Sequence, residues 1–318
     1  MNARFSLLAL SLMTLPAMAQ LSDNTGISGE LSLSTGFVSG RSNFNTNGDE
    51  TITNTFDKAS SDSGAILLPL GNVAYTFGAN LDKQIYAGTS REDIAVGNLA
   101  LELGYKQELD SGMVVDLSIL PTIMAGETWE NPYQVNVVRK TTDESGNAFR
   151  VKLSNIIGSN FDLDMAYATK EIDNEKTGIN ALERDSETLY MKSGYMFTIN
   201  STSFIKPSLT YVKTEADGKA NSFDGITGEI SYFKILDRHQ IALTASYTDR
   251  SFDATNPIYN RTRNEEEVSL FAAYEYREFM DWQDWSLVSF AGYGKTDSNI
   301  DFYDEDQFIF TVGMNYQF

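Results

Sequence analysis

The chain contains a single histidine, His239, in the segment ILDRHQ (235–240). Histidine is a common general base because its pKa lies near neutral pH. The adjacent Asp237 and Arg238 are typical of a polar turn between strands, and no second histidine and no cysteine is present to complete a catalytic pair or a metal cluster. Among 44 Asp and Glu residues no pair stands out for acid–base work. The sequence predicts no catalytic residue, metal site or cofactor, and an enzyme is its least favoured interpretation.

Two acidic clusters have the residue types that bind Ca²⁺, DFYDEDQ (301–307) and NEEE (264–267). Hard cations take clustered carboxylate oxygens, but known calcium loops place their ligands at fixed spacing. Neither cluster has such spacing, and RTR (261–263) directly precedes NEEE. We expect the clusters to form a solvated acidic rim, with RTR and NEEE paired to each other.

Composition narrows the class of protein. The formal net charge is −20, which argues against nucleic acid as a partner because phosphate-binding surfaces are basic. Only 6 prolines accompany 19 Phe and 16 Tyr, which favours strands. With no cysteines, no disulfide stabilises the fold.

Alternating apolar and polar residues recur along the chain in segments of about ten residues. Such segments match the length that a tilted strand needs to cross a bilayer, roughly 9–11 residues. Many of the apolar faces end in Tyr, Phe or Trp, as at the aromatic girdles of membrane barrels. Examples are LALELGYKQEL, FDLDMAYATK, TLYMKSGYMF, QIALTASYTD and EVSLFAAYEYR. The pattern predicts an all-β, transmembrane antiparallel up-and-down β-barrel.

The connections predict the two ends of that barrel. Tight turns such as 199–202 alternate with long polar segments at 38–64, 171–187 and 250–267. Outer-membrane barrels have short periplasmic turns and long outer loops. We count about 15 candidate strands, whereas a bacterial single-chain barrel has an even number, and 125–152 fits either one strand or two. We therefore predict about 14 strands, with 12 and 16 as the alternatives.

The two ends of the sequence predict its location. Residues 1–19 combine Arg4, an apolar run and an A-x-A site, the pattern of a cleaved signal peptide. The remaining residues, 20–318, form the predicted barrel domain. The last segment, FIFTVGMNYQF, alternates up to Phe318 and resembles the assembly signal of outer-membrane proteins, carried by Phe310, Tyr316 and Phe318. We expect it to pair with the first strand, at 27–38, because a barrel in lipid leaves no edge exposed.

Two further segments carry a more specific resemblance. GETWENPYQ (126–134) and NIIGSNFDLDMAYATKEIDNEKTG (155–178) resemble an uncharacterised domain-of-unknown-function family of outer-membrane β-barrels from marine gammaproteobacteria. The resemblance implies an outer-membrane barrel over nearly the whole mature chain. It implies no activity and no functional residues.

Charged side chains on the inward phase of the strands are the candidate functional residues. They are Glu102, Lys106, Asp116, Arg150, Lys152, Asp162, Asp164, Lys192, Glu229 and Glu275. Charges of both signs fit either a water-filled pore or a barrel closed by internal ion pairs, whereas the apolar lumen of a carrier for hydrophobic substrates is not evident. We favour a passive channel for small polar solutes, with cations preferred because of the acidic excess. The alternative is a closed barrel whose acidic outer loops make it a surface binding or structural protein. Expected partners are outer-membrane lipid, lipopolysaccharide and the barrel assembly machinery.

Overall fold

The structure, a computed structural model, describes residue 21 and residues 25–89, 101–122 and 126–318. The predicted signal peptide, residues 1–19, lies outside these residues. The described strands are β1 (Gly26–Arg41), β2 (Ser61–Phe77), β3 (Lys83–Thr89), β4 (Leu101–Glu108), β5 (Val114–Pro121), β6 (Gly126–Trp129), β7 (Thr141–Ser154), β8 (Phe161–Ile172), β9 (Ser186–Tyr195), β10 (Phe197–Asn200), β11 (Ser203–Ala216), β12 (Phe223–Leu236), β13 (His239–Asn256), β14 (Arg261–Arg277), β15 (Trp285–Ser298) and β16 (Glu305–Gln317). Short 3₁₀ turns occupy Ile156–Gly158, Asn180–Leu182, Lys219–Asn221, Phe279–Asp281 and Asp301–Tyr303. No helix in the described ranges is long and apolar enough to cross a membrane.

Within the described ranges, fourteen strands close into one antiparallel up-and-down barrel. Each barrel strand pairs with the next along the chain, and β16 returns to pair with β1. β10 continues β9 after a break at Met196, since both pair with β11 in the same register. The predicted transmembrane barrel of about 14 strands is confirmed.

The segment 125–152, which the sequence left as one strand or two, contributes one barrel strand. β7 spans the wall between β5 and β8. The four residues of β6 pair only with the start of β7, at its end away from the bilayer. The surplus candidate strand is therefore a short hairpin arm outside the barrel wall.

The seam between β1 and β16 closes the barrel as expected. Their ladder runs from Glu30 opposite Gln317 to Arg41 opposite Asp306. Beyond it, Phe318 and Gly29 exchange two backbone hydrogen bonds of 2.9 and 3.0 Å. The two strands approach closely at Gly36, where a Cβ atom would lie only 1.9 Å from the carbonyl oxygen of Phe310.

Apolar side chains cover the outer surface of the barrel. Leu67, Phe149 and Leu209 are each more than half exposed. On β7 and β11 these side chains occupy the phase opposite to the inward Arg150 and Lys206. In water such exposure is unfavourable, whereas against acyl chains it is expected. The alternation in the sequence therefore assigns the lipid-facing side correctly.

The two ends of the barrel differ in their connections. At the end where Phe318 lies, which we call the short-turn end, adjacent strands are joined by tight turns such as 237–238 and 201–202. The opposite end carries the longer connections. The predicted loop 250–267 is wrong, because β13 and β14 continue through most of it and only 257–260 link them. Outside the bilayer a strand can be polar on both faces, so its sequence looks like that of a loop.

An apolar row lies inside the barrel, contrary to the lumen that the sequence suggests. Five side chains stand opposite one another on β11 to β15, namely Phe204, Phe233, Ala242, Ala273 and Phe290. With Phe271 and Val288 they form one cluster, which we call the inner apolar patch. The alternating pattern did not predict this patch. Several of its residues come directly after an outward apolar residue, as Phe233 follows Tyr232, so both faces of the strand are apolar there.

Candidate functional site

The predicted lumen residues come together on one side of the inner wall. Across five neighbouring strands, β4, β5, β7, β8 and β9, one row of residues opposite each other reads Lys106, Asp116, Lys152, Asp164 and Lys192. Their charges alternate in sign from strand to strand. Opposite charges on facing residues stabilise a sheet. This row, with the charged residues that pair with it, is called the belt below.

Arg150 is the most buried cation of the belt. Its Nε and Nη2 atoms donate to the two carboxylate oxygens of Asp164 at 2.9 and 2.6 Å. Its Nη1 atom lies 3.6 Å from Glu102. The guanidinium and Asp164 are buried, so this two-pronged ion pair is sheltered from water. It ties β7 to β8 and, across β5, to β4.

Two lysines extend the belt toward β12. Lys192 donates to Glu229 at 2.8 Å, and Lys206 pairs with Asp162 at 2.5 Å. Each of these bonds passes over one intervening strand, so it follows the wall of the barrel. Lys206 was not among the predicted residues, although it lies on the inward phase between Phe204 and Ser208.

Tyr86 adds a neutral group to the belt. Its hydroxyl lies 2.8 Å from Asp116 and 3.0 Å from Glu102. Lys106 stands over its ring at 4.6 Å from the centroid. The tyrosine thus bridges two carboxylates that would otherwise repel each other.

The tenth predicted residue, Glu275, is not brought to the belt. It lies on β14 near the short-turn end, opposite Gln240 and Val288. Among the described residues, the belt then has five acids (Glu102, Asp116, Asp162, Asp164, Glu229) and five bases (Lys106, Arg150, Lys152, Lys192, Lys206). Its charge is balanced, and the acidic excess of the chain lies elsewhere.

The long connections pack over the end of the barrel opposite the short turns. Side chains from the connections after β1, β5, β8, β11, β13 and β15 share one apolar core, composed of Phe44, Ile52, Tyr133, Ile179, Leu182, Ala220, Ile258, Tyr259, Ile300, Phe302 and Tyr303. Leu182 and Phe302 are fully buried. These connections start from strands around the whole circumference, so their contacts cross the mouth. We call this layer the cap. The sequence predicted long loops at this end but not their common core.

Hydrogen bonds between distant connections fix the cap. The hydroxyls of Tyr133 and Tyr303 lie 2.6 Å apart, and Asn256 donates to Tyr303 at 2.8 Å. Burial raises the pKa of Tyr133 well above its usual value, so its hydroxyl keeps its proton at any physiological pH. Arg184 donates to Thr128 and to the carbonyl of Trp129 at 2.9 and 2.6 Å.

Arg139 joins the first long connection to the third. It donates to the carbonyls of Asn43, Pro132 and Asp49, and its guanidinium lies 4.2 Å from the ring centre of Trp129. Burial lowers its pKa to about 10, against the opposing attraction of Asp49. The side chain is therefore still charged at neutral pH, and it binds backbone carbonyls from two loops.

The acidic clusters lie at the edge of the cap and are paired with bases. Glu267 and Glu265 face Arg250 at 2.5 and 3.7 Å, and Arg263 lies 3.5 Å from Glu265. In the second cluster, Asp304 pairs with Lys58. Within the described ranges, no group of three or more His, Cys, Asp and Glu side chains is arranged to bind a metal ion.

His239 lies at the short-turn end of the barrel, which is the end opposite the cap. Its ring stacks on Tyr276 with 4.8 Å between ring centres, and its Nδ1 atom lies 2.8 Å from the hydroxyl of Tyr274. It is exposed on the outer surface, as expected of an interfacial turn residue. The predicted assembly residues lie on or just after β16, at the seam with β1. Phe310 and Phe318 are exposed, and Tyr316 contacts Phe318 and Trp285.

Solved outer-membrane proteins from several bacteria are distantly similar to this chain. A Pseudomonas aeruginosa FadL homologue is 11% identical over 92% of this chain and 90% of that one, with a TM-score of 0.47. Outer-membrane expressed OmpT of Vibrio cholerae is 10% identical over 94% and 99%, with a TM-score of 0.43. An anion-selective porin from Comamonas acidovorans is 7% identical over 93% and 100%, also with a TM-score of 0.43. At these levels the likeness concerns the barrel fold alone.

Comparison of the sequence with curated proteins gives no match. A family model, in contrast, matches residues 26–317, which is the entire barrel with its cap. The chain belongs to the family described as Protein of unknown function (DUF2860).

Proposed function

We propose that this protein is an outer-membrane channel for small polar solutes whose outer mouth is gated by the cap. The belt carries the proposal. Its ion pairs join strands at most two places apart, so they line the wall with charge and follow the circumference. A barrel of about 14 strands is wide enough to require filling by water, a folded segment or a ligand. A charged inner wall can line a path for polar solutes. The packed loops of the cap would close this path, and it would open when the cap moves.

The proposed orientation places the cap outside the cell and the short turns in the periplasm, as is general for outer-membrane barrels. Lipid and lipopolysaccharide would then surround the wall and the cap. The strand with Phe310, Tyr316 and Phe318 would be the segment that the assembly machinery recognises. Cleavage of residues 1–19 belongs to the same proposal.

The proposed solute preference is weaker than composition suggests. A net charge of −20 favours cations, but the five acids of the belt face five bases. We expect cations to be preferred only modestly. The proposal includes no catalysis, since no described cluster combines a base with a nucleophile at the cap.

Planar-bilayer recording tests the gate. The refolded protein is compared with Tyr133→Ala/Tyr303→Ala, which removes two rings from the cap core, and with Tyr133→Phe/Tyr303→Phe, which keeps both rings. We expect rare openings in the wild type, at least tenfold more open time in the alanine pair, and a small change in the phenylalanine pair. A salt gradient across the bilayer then measures the charge preference. Silence of all three proteins, with insertion verified, would reject the channel.

A second candidate is a closed barrel that acts as a surface binding or structural protein. The packing of the cap favours it, because a core with fully buried Leu182 and Phe302 is that of a stable layer. This candidate predicts no conductance from the alanine pair.

A further inference from the structure

A hollow of about 740 Å³ indents the lipid-facing surface of the barrel on the far side of the wall from the belt. It covers two consecutive rows of outward side chains on neighbouring strands. The upper row is Leu103, Ile119, Phe149, Tyr167 and Leu189, and the lower row is Tyr105, Leu117, Val151 and Met165. Nearly all of this lining is apolar.

The hollow has a floor and a rim. Val151 and Met165, which face each other on β7 and β8, are half-buried. Phe149 beside them is 60% exposed, and Leu117 is 47% exposed. The outward surface therefore recedes at Val151 and Met165 and rises at the side chains around them.

Three of the four inward residues behind the hollow are small. These four are Gly104, Ser118, Ala166 and Arg150. A Cβ atom on Gly104 would lie 2.3 Å from Cζ of Tyr86, so the tyrosine ring rests directly on the backbone of β4. The ion pairs of Arg150 draw β4, β7 and β8 together at the same level.

We infer that this hollow binds one acyl chain of a membrane lipid. It opens onto the lipid-facing band, where hydrocarbon is the solvent, and its lining offers apolar contact over two rows. A flexible chain can follow a curved depression that a rigid helix or strand cannot fill. The inference is independent of whether the barrel conducts.

The footprint of the hollow argues against a second copy of the chain as its occupant. Five neighbouring strands at about 4.8 Å spacing span roughly 19 Å, and two outward rows cover about 7 Å along each strand. The resulting area, on the order of 130 Å², is far below the roughly 800 Å² per partner of a stable protein interface.

Native mass spectrometry tests the inference. The full-length protein, refolded in a mild detergent, is mixed with phosphatidylethanolamine and the number of lipids retained per barrel is counted. Val151→Trp/Met165→Trp fills the floor from outside, where neither side chain meets the strand pairing. Leu243→Trp is the matched control, because Leu243 is equally outward on β13 and 48% exposed. A heat-dependent shift in gel mobility verifies that each barrel is folded.

We expect one lipid retained by the wild type and by Leu243→Trp, and at least fivefold lower occupancy in the filled variant. Equal retention by all three proteins would overturn the inference. So would a dimer of the wild type that disappears on filling the hollow, since it would identify a second copy as the occupant.

Discussion

Arg150 shows how a single residue links several strands of the wall. Its guanidinium is buried and is matched by both oxygens of Asp164, with Glu102 nearby. A buried ion pair of this kind contributes little net free energy to folding. Removing one partner is strongly destabilising, because the remaining charge stays buried without that partner. The inward phase of the strands was sufficient to predict all three residues, whereas the pairing among them depends on register.

The first prediction concerns this pair. Arg150→Met should lower the free energy of unfolding by about 3–5 kcal/mol, because the buried Asp164 carboxylate loses both of its hydrogen bonds to the guanidinium. Arg150→Lys keeps the charge but loses the two-pronged contact. Its decrease in the free energy of unfolding should be less than half that of Arg150→Met. Urea unfolding in lipid vesicles, followed by gel mobility, measures both. Unchanged stability of the methionine variant would contradict the role of the belt.

The second prediction concerns Arg139 in the cap. Arg139→Met leaves the carbonyls of Asn43 and Pro132 without their donor, at a cost of about 1–3 kcal/mol. The cap should loosen while the barrel stays folded. Trypsin should then cut at Lys58, in the first long connection, at least tenfold faster than in the wild type.

The control for this measurement is Arg277→Met, an exposed arginine at the short-turn end. It should leave cleavage at Lys58 unchanged. If Arg139→Met is cut at the wild-type rate, Arg139 does not hold the cap.

Among the elements, the seam of β1 and β16 has the strictest geometric requirement. The third prediction is that Gly36→Val prevents closure, because its Cβ would lie 1.9 Å from the carbonyl oxygen of Phe310 on the paired strand. Refolding yield, measured as the heat-modifiable gel form, should fall at least tenfold. Gly228→Val is the control, since no atom lies within 4 Å of a Cβ there. Equal yields would show that the seam tolerates a wider spacing.

The strands of the wall were predictable because one face meets lipid over the part of each strand that crosses the bilayer. Beyond the bilayer that signal ends, and the prediction fails at the same place. β13 and β14 continue through polar residues such as Thr255 and Thr262, whose hydroxyls lie 3.2 Å apart. β6 is too short and too polar to be distinguished from a loop by periodicity.

At the scale of the whole molecule, the barrel and its cap form two layers with different origins. The barrel follows from a local pattern. The cap depends on contacts between residues such as Tyr133 and Tyr303, which are 170 positions apart. No local pattern specifies such a contact, so the sequence predicts the loops but not their common core. The inner apolar patch was not predicted for the same reason, because strand pairing alone brings its members together.

Closing the mouth with a packed layer is the feature that decides the function. An uncapped barrel with a charged wall would conduct continuously, and a fixed cap would exclude solutes altogether. The proposed channel lies between these, because the cap is held by contacts between loops and is joined to the wall only through its connections.

A reversible lock on the cap is the most direct measurement of this account. Ile52 and Val135 face each other in an isolated parallel bridge between two connections of the cap. Residues bridged in this way lie about 5 Å apart, within the range of about 4.4–6.8 Å that a disulfide spans. The chain has no cysteine of its own, so Ile52→Cys/Val135→Cys introduces a single bond, and each single variant serves as its control. In a planar bilayer, we predict at least tenfold less open time for the oxidised double variant than for the same protein after reduction, with no redox effect in the single variants. Equal open time before and after reduction, with the bond verified, would contradict gating by the cap.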